Sequence, residues 1–194
     1  MNLFEEEMHW MNEPDNWRML PNHALEVSAS PAADFFRDPQ GDLVVSSAPF
    51  FYTEATGNFI LTARVSVEMK SQYDSGCLMV MVDRENWAKL CFELYEKKPS
   101  IMSVVTQGVS DDAVSVHVGT SEVYLRIAKF DSSFAFHYSV DGEEWNLTRY
   151  FGMKCLDEVK VGCVVQSPTG EGCTAIFDYL DLKPNDRPDV RQVL

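Results

Sequence analysis

From Phe59 onward the chain alternates apolar and polar residues at a period of two, and no helical pattern of three turns interrupts it. Phe59, Leu61, Ala63, Val65, Val67 and Met69 share one face of an extended segment, with Ile60, Thr62, Arg64, Ser66 and Glu68 on the other. Comparable strand signals follow over residues 76–83, 86–95, 100–107, 113–118, 122–130, 134–140, 159–166 and 174–182. Turn chemistry separates them at Lys97-Lys98-Pro99, Asp131-Ser132-Ser133, Asp141-Gly142 and Ser167-Pro168-Thr169-Gly170-Glu171-Gly172. Short strands at this spacing, without crossover helices, pair antiparallel. They predict an all-β jelly-roll sandwich of two antiparallel sheets. The pattern predicts one domain over residues 1–183 and a solvated C-terminal tail over 184–194.

The segment Asn86 to Tyr95 carries the clearest functional signal. Its even positions, Ala88, Leu90, Phe92 and Leu94, form an apolar core face. Its odd positions, Trp87, Lys89, Cys91, Glu93 and Tyr95, alternate large aromatics with opposite charges. Such a face suits a binding floor, though an open sheet face with cross-strand ion pairs carries similar residues. Lys89 and Glu93 lie four residues apart on one strand, about 13 Å at the usual rise, so they cannot pair with each other. Each needs a partner elsewhere or a ligand.

Residues 122–130 and 134–140 are expected to form a hairpin around Asp131-Ser132. Keeping Phe134 and Phe136 on the core face with Val123, Leu125 and Ile127 requires Phe130 opposite Ser133. Arg126 then lies opposite His137 on the face turned from the core, and both join the candidate floor.

Two loop segments add candidates. Ser110-Asp111-Asp112 places adjacent carboxylates after Gly108, suited to accepting ligand hydroxyls or forming a solvated turn. Ala33 to Pro39 sets Phe36 and Arg37 among charges, and with Trp10, Glu13 and Trp17 it is placed as a wall at one end of the cleft or as an edge cover.

Composition limits the function classes. The 194 residues carry 30 Asp plus Glu against 16 Lys plus Arg, a formal net charge of −14. No basic stripe is present to displace phosphate counterions, which argues against nucleic acid and against an anionic membrane surface. No apolar run reaches the length of a membrane span, and the N-terminus lacks the pattern of a secretory signal. Cys77, Cys91, Cys155, Cys163 and Cys173 are odd in number and irregular in spacing, with no CxxC pair. They read as free buried thiols of a cytoplasmic protein rather than a disulfide frame or a zinc site. The chain has no G-x-S-x-G, Walker or G-x-G-x-x-G motif and no paired histidines.

An ordered set of short motifs carries a resemblance. Thr53-Glu54-Ala55-Thr56-Gly57-Asn58-Phe59, Asp74-Ser75-Gly76-Cys77-Leu78 and Glu85-Asn86-Trp87-Ala88-Lys89 come first. Ser103-Val104-Val105-Thr106, Ser110-Asp111-Asp112 and Leu125-Arg126-Ile127 follow. Tyr138-Ser139-Val140-Asp141-Gly142 with Trp145, then Val161-Gly162, complete the set. Together they resemble the regulation-of-enolase family, a domain of formally unknown function grouped with concanavalin A-like lectins and glucanases. The resemblance runs over roughly residues 10–182 and implies a two-sheet jelly roll with a concave, sugar-accommodating sheet. The chain departs from it at Ala113, where the family often carries an aromatic, and it lacks the E-x-D-x-x-E pattern of retaining glucanases.

The expectation is a non-catalytic cytoplasmic domain binding a carbohydrate or sugar-derived metabolite, with no cofactor and no metal. A regulatory protein-interaction domain is the alternative, and a glycoside hydrolase with an unrecognised carboxylate pair is the second. Trp87, Lys89, Glu93, Tyr95, Asp111, Asp112, Arg126, His137, Phe36 and Arg37 are the candidate ligand-binding residues.

Overall fold

The computed structural model describes residues 2–154 and 158–192. Sixteen strands run in chain order: β1 His9–Met11, β2 Asn16–Met19, β3 Leu25–Ala29, β4 Phe35–Arg37, β5 Val44–Ser46, β6 Phe50–Thr56, β7 Phe59–Val67 and β8 Ser75–Met81. Then come β9 Asn86–Tyr95, β10 Lys98–Gln107, β11 Val109–His117, β12 Glu122–Phe130, β13 Ser133–Ser139, β14 Asn146–Gly152, β15 Glu158–Gln166 and β16 Cys173–Pro184. The strands build the expected two-sheet antiparallel sandwich. One seven-stranded sheet has the order β1-β6-β15-β8-β9-β10-β11, the other β14-β13-β12-β7-β16-β3-β2, and β4-β5 is a separate two-stranded ribbon.

The apolar sides of the alternating strands meet between the sheets. Leu61, Ala63 and Val65 of β7, Leu90 and Phe92 of β9, Leu125 and Ile127 of β12, and Phe134 and Phe136 of β13 are all buried there. Large aromatics and branched aliphatics suit this role, since each buries ~1.5–3 kcal/mol of apolar surface energy. The strands before Phe59 and the strand β14 were not legible from periodicity, because each is short or half-exposed.

The β12–β13 register is the expected one, with Phe130 opposite Ser133 and Arg126 opposite His137. The segment after Pro184 corrects the expectation of a solvated tail. Asn185 and Val190 are buried, and Val190 packs on Ala128 and Ala135 over the outer face of the second sheet. Cys77, Cys91, Cys163 and Cys173 are buried free thiols, and Cys155 lies outside the described residues. Among the described residues no helix is long and apolar enough to cross a membrane.

The β9–β10 hairpin turns one residue earlier than its Lys-Lys-Pro sequence suggests. Tyr95 pairs with Lys98, leaving Glu96 and Lys97 as the two loop residues, with φ of +48° and +63°. This is the left-handed pair that matches the twist of a two-residue hairpin, and it normally recruits Asn and Gly. Lys97→Gly relieves the left-handed penalty, partly offset by the greater freedom of the unfolded chain. The expected gain is about 0.5 kcal/mol, seen as a rise in the urea midpoint at constant slope. A lower midpoint would show that the Lys97 side chain contributes more than its backbone costs.

Candidate functional site

Antiparallel register sets the floor of a cleft on the outer face of the first sheet. Lys89 lies between Met79 of β8 and Val104 of β10, and Val104 in turn faces Asp112 of β11. Two residues along, Cys91 lies between Cys77 and Met102, and Val114 extends that row. A further two along, Glu93 lies between Ser75 and Ser100. Period-two alternation sends all of these away from the sandwich interior.

The segment carrying β4 and β5 covers part of this face. Phe35 is buried against Trp87 and Phe50, with ring centroids 6.0 and 6.5 Å away. What stays open is a cleft of about 540 Å³. Asp34, Phe36 and Leu43 form one wall, Tyr73 and Tyr95 another, and Glu93, Met102, Asp112 and Gln166 reach it from the floor and far side.

Lys89 is 3 % exposed and spends all three of its protons inside the protein. Its Nζ donates to Gln166 Oε1 at 2.7 Å, to the Phe35 carbonyl at 2.7 Å and to Asp34 Oδ1 at 3.3 Å. Burial opposes the charge, but Asp34 beside it prevails and the ammonium pKa is raised. The lysine is therefore a pin holding the β4 segment on the sheet, with no proton left for a ligand. This corrects the expectation that it binds ligand as a free charge.

Glu93 behaves differently. Burial pushes its carboxyl well above the usual carboxylate range, and Lys89 offsets that only in part. Its carboxyl oxygens line the cleft as acceptors. Asp112 is also raised, by burial first and with Asp34 contributing, and it stands at the mouth. Tyr73 and Tyr95 flank these groups with ring centroids 6.3 Å apart.

Of the ten candidate ligand-binding residues, Phe36, Lys89, Glu93, Tyr95 and Asp112 line this cleft. Five do not. Trp87 is 1 % exposed beneath Phe35, so its ring offers no stacking surface. Arg37 staples β4 to the β10–β11 turn, donating from Nε to the Gly108 carbonyl at 2.6 Å and pairing with Glu85 at 3.0 Å. Asp111 and Asp112 sit within strand β11 rather than on a loop, because Gly108, with φ of +82°, reverses the chain in one residue. Adjacent strand residues face opposite ways, so Asp111 turns across the sandwich edge to Arg149 at 3.1 Å.

Arg126 and His137 do share an outward face, but it belongs to the second sheet, across the sandwich from the cleft. Trp10 and Trp17 pack on Phe51 as a separate aromatic cluster, and Glu13 accepts from the Trp17 indole there; none of the three lines the cleft.

Asp34, Tyr73, Met102, Val114 and Gln166 were not foreseen as site residues. Met102 and Val114 follow from the two local hairpins, once the turns are placed at Glu96-Lys97 and at Gly108. Gln166 and Asp34 come from β15 and the segment before β4, whose positions depend on non-local pairing that no sequence pattern here signals.

Comparison with known proteins gives a consistent picture. The chain is 26 % identical over 175 residues to Regulation of enolase protein 1 of Saccharomyces cerevisiae, covering 89 % of this chain and 87 % of that one. The crystal structure of a functionally unknown protein from Saccharomyces cerevisiae superposes with a TM-score of 0.86 at 24 % identity, covering 92 % of this chain and 96 % of that one. The GH43 protein BlXynB from Bacillus licheniformis gives 0.74 at 14 % identity over 95 % of this chain and 39 % of that one. The carbohydrate binding module CBM66 from Bacillus subtilis gives 0.58 at 12 % identity, over 90 % and 94 % of the two chains. The last two show shared architecture alone. The family model for the protein of unknown function DUF1349 matches residues 10–185, nearly the whole sandwich, and the chain belongs to that family.

Proposed function

We propose that this cleft binds a neutral saccharide or sugar-derived metabolite and does no chemistry on it. The carrying observation is the cleft's composition: aromatic walls from Phe36, Tyr73 and Tyr95 around Glu93 and Asp112, with Lys89 the one cation among its described lining residues and already fully hydrogen-bonded. Aromatic faces take the C–H faces of a sugar ring, while carboxyl groups accept from its hydroxyls. An uncommitted cation for a phosphate is lacking, so the acidic lining favours a neutral ligand. The carbohydrate-binding module among the structural neighbours supports the class of ligand by analogy. Buried free thiols agree with a reducing compartment such as the cytoplasm.

Hydrolysis draws less support. Asp112 lies two strands over and four residues along from Glu93 in register, about 16 Å between Cα atoms at ordinary strand geometry. Retaining glycosidases hold their two carboxyls about 5 Å apart. A regulatory protein-interaction role finds its support in the name of the yeast relative and in the edge strand β11, where Val109 and Val114 are exposed.

Calorimetric titration with a panel of neutral pentose and hexose oligosaccharides, alongside sugar phosphates, tests the reading. A neutral sugar is expected to bind saturably, and Tyr95→Ala to weaken it about 3- to 10-fold through loss of ring contact. Tighter binding of sugar phosphates, or no saturable heat from any of the panel, would count against it.

A further inference from the structure

A second, separate cavity of about 230 Å³ lies on the outer face of the other sheet, roofed by the segment after Pro184. Arg126 and His137 line it from β12 and β13, directly opposite each other in register. Arg187 and Val190 face them from the roof.

The polar atoms of its floor are incompletely used. Among the described residues Arg126 pairs with no carboxylate, and its buried Nε has no hydrogen-bond partner. The guanidinium instead lies over the Trp145 ring, 3.5 Å from its centroid. His137 is fully buried, and its Nε2 lies 3.4 Å from the Arg191 carbonyl. A carbonyl only accepts, so Nε2 carries the proton and Nδ1 presents a lone pair, itself buried and unpartnered.

Of the other charged residues lining the cavity, Asp186 and Arg187 are adjacent and exposed on the roof with opposite signs, and the remaining two are committed elsewhere. Asp189 accepts from Arg191 and Gln192, and Lys183 pairs with Asp181 at 2.7 Å. A half-buried cation without a counter-charge and a buried acceptor without a donor are each costly, and here they lie on residues directly opposite in register. In a chain of net charge −14 this is an unusual place to leave an arginine unanswered.

We infer that the cavity is a binding site for a small oxyanion that also carries a hydroxyl hydrogen close to its charged oxygen. The charged oxygen accepts from Arg126 Nε–H and the hydroxyl donates to His137 Nδ1, the side chains over these two covered atoms shifting aside to admit it. Monohydrogen phosphate has this chemistry, and so does a 2-hydroxy carboxylate. Arg187, exposed on the roof, supplies further positive charge at the entrance. The site is independent of the saccharide cleft, which lies on the other sheet.

The test is a titration of the full chain with inorganic phosphate and with glycolate, beside sulfate and acetate, which lack the hydroxyl hydrogen near neutral pH. Tryptophan fluorescence reports the event because Arg126 stacks on Trp145. One or both of the first pair are expected to saturate below about 10 mM, at least ~10-fold more tightly than sulfate and acetate, and Arg126→Gln is expected to weaken them about 10-fold or more. Phosphate alone points to a phosphomonoester group as the source, glycolate alone to a hydroxy acid. The ¹⁵N shift of His137 Nδ1 in the unmodified chain gives a second readout and does not depend on a variant folding. It moves on binding if the hydroxyl donates to it. Sulfate or acetate binding as tightly as phosphate and glycolate, an unmoved Nδ1 signal, or no saturation by any of the four overturns the inference.

Discussion

Replacing Lys89 with methionine is expected to cost the domain about 3–5 kcal/mol, far more than an exposed charge would. The side chain is 3 % exposed, and its removal leaves the Phe35 carbonyl, Gln166 Oε1 and Asp34 Oδ1 without their shared donor. A buried acceptor stripped of its partner retains its desolvation cost, and Asp34 becomes a half-buried carboxylate lacking the cation beside it. The loss is also structural, because these contacts hold the β4 segment over Trp87 and set the wall that Asp34 and Phe36 give the cleft. Leu90→Ala, one residue on and fully buried between the sheets, is expected to cost about 2–5 kcal/mol by opening a cavity. It leaves the cleft wall in place. Urea denaturation gives both numbers, and limited proteolysis within residues 38–48 separates the two causes. That segment becomes labile in Lys89→Met well before global unfolding and stays protected in Leu90→Ala. A loss below about 1 kcal/mol for Lys89→Met would mark it as an ordinary surface charge.

The contrast between those neighbours shows which part of the molecule was legible in the sequence. Leu90 and Lys89 were assigned to opposite faces by alternation alone, and the structure agrees. Alternation reports only the face turned from the sandwich core. It is silent on whether another segment covers that face, and here Phe35 closes over Trp87 and Asp34 reaches Lys89 from 55 positions away in sequence. The same gap separates Arg126 and His137 from the cleft. Their mutual register followed from hairpin arithmetic, but a hairpin does not declare which of two sheets it joins. Asp111 and Asp112 were read as a loop because Ser-Asp-Asp is poor strand sequence. An edge strand with one partner tolerates such residues, since their side chains remain in water. The tail was read as solvated because it is rich in Pro, Asp and Arg, although one apolar residue, Val190, suffices to seat it on Ala128 and Ala135.

Acid is expected to destabilise the domain through His137 by up to about 3 kcal/mol. Burial, reinforced by nearby Arg126 and only partly offset by the Arg191 carbonyl, pulls the imidazole pKa from 6.5 down to about 4. The native state therefore refuses a proton that the unfolded chain accepts. Above pH 6.5 both states are neutral and the histidine contributes nothing to pH dependence. Stability falls as pH drops from 6.5 to 4, then levels once both states are protonated. Glu93 acts in the opposite sense. Its folded pKa is raised well above 4.5, so its protonated form favours the native state and that contribution is lost as pH rises through the raised value. The two slopes oppose each other between pH 4.5 and 6.5, so the wild-type curve alone understates the histidine. In Glu93→Gln the carboxyl is gone, and the fall between pH 6.5 and 4 is expected to steepen. In His137→Gln the acid loss is expected to shrink by most of its amplitude, because the buried amide has no proton to refuse. Unfolding free energies from urea titrations across this range measure both slopes. If His137→Gln falls with acid as steeply as the wild type, the acid sensitivity belongs to other groups and the imidazole binds its proton equally well in the folded and unfolded chain.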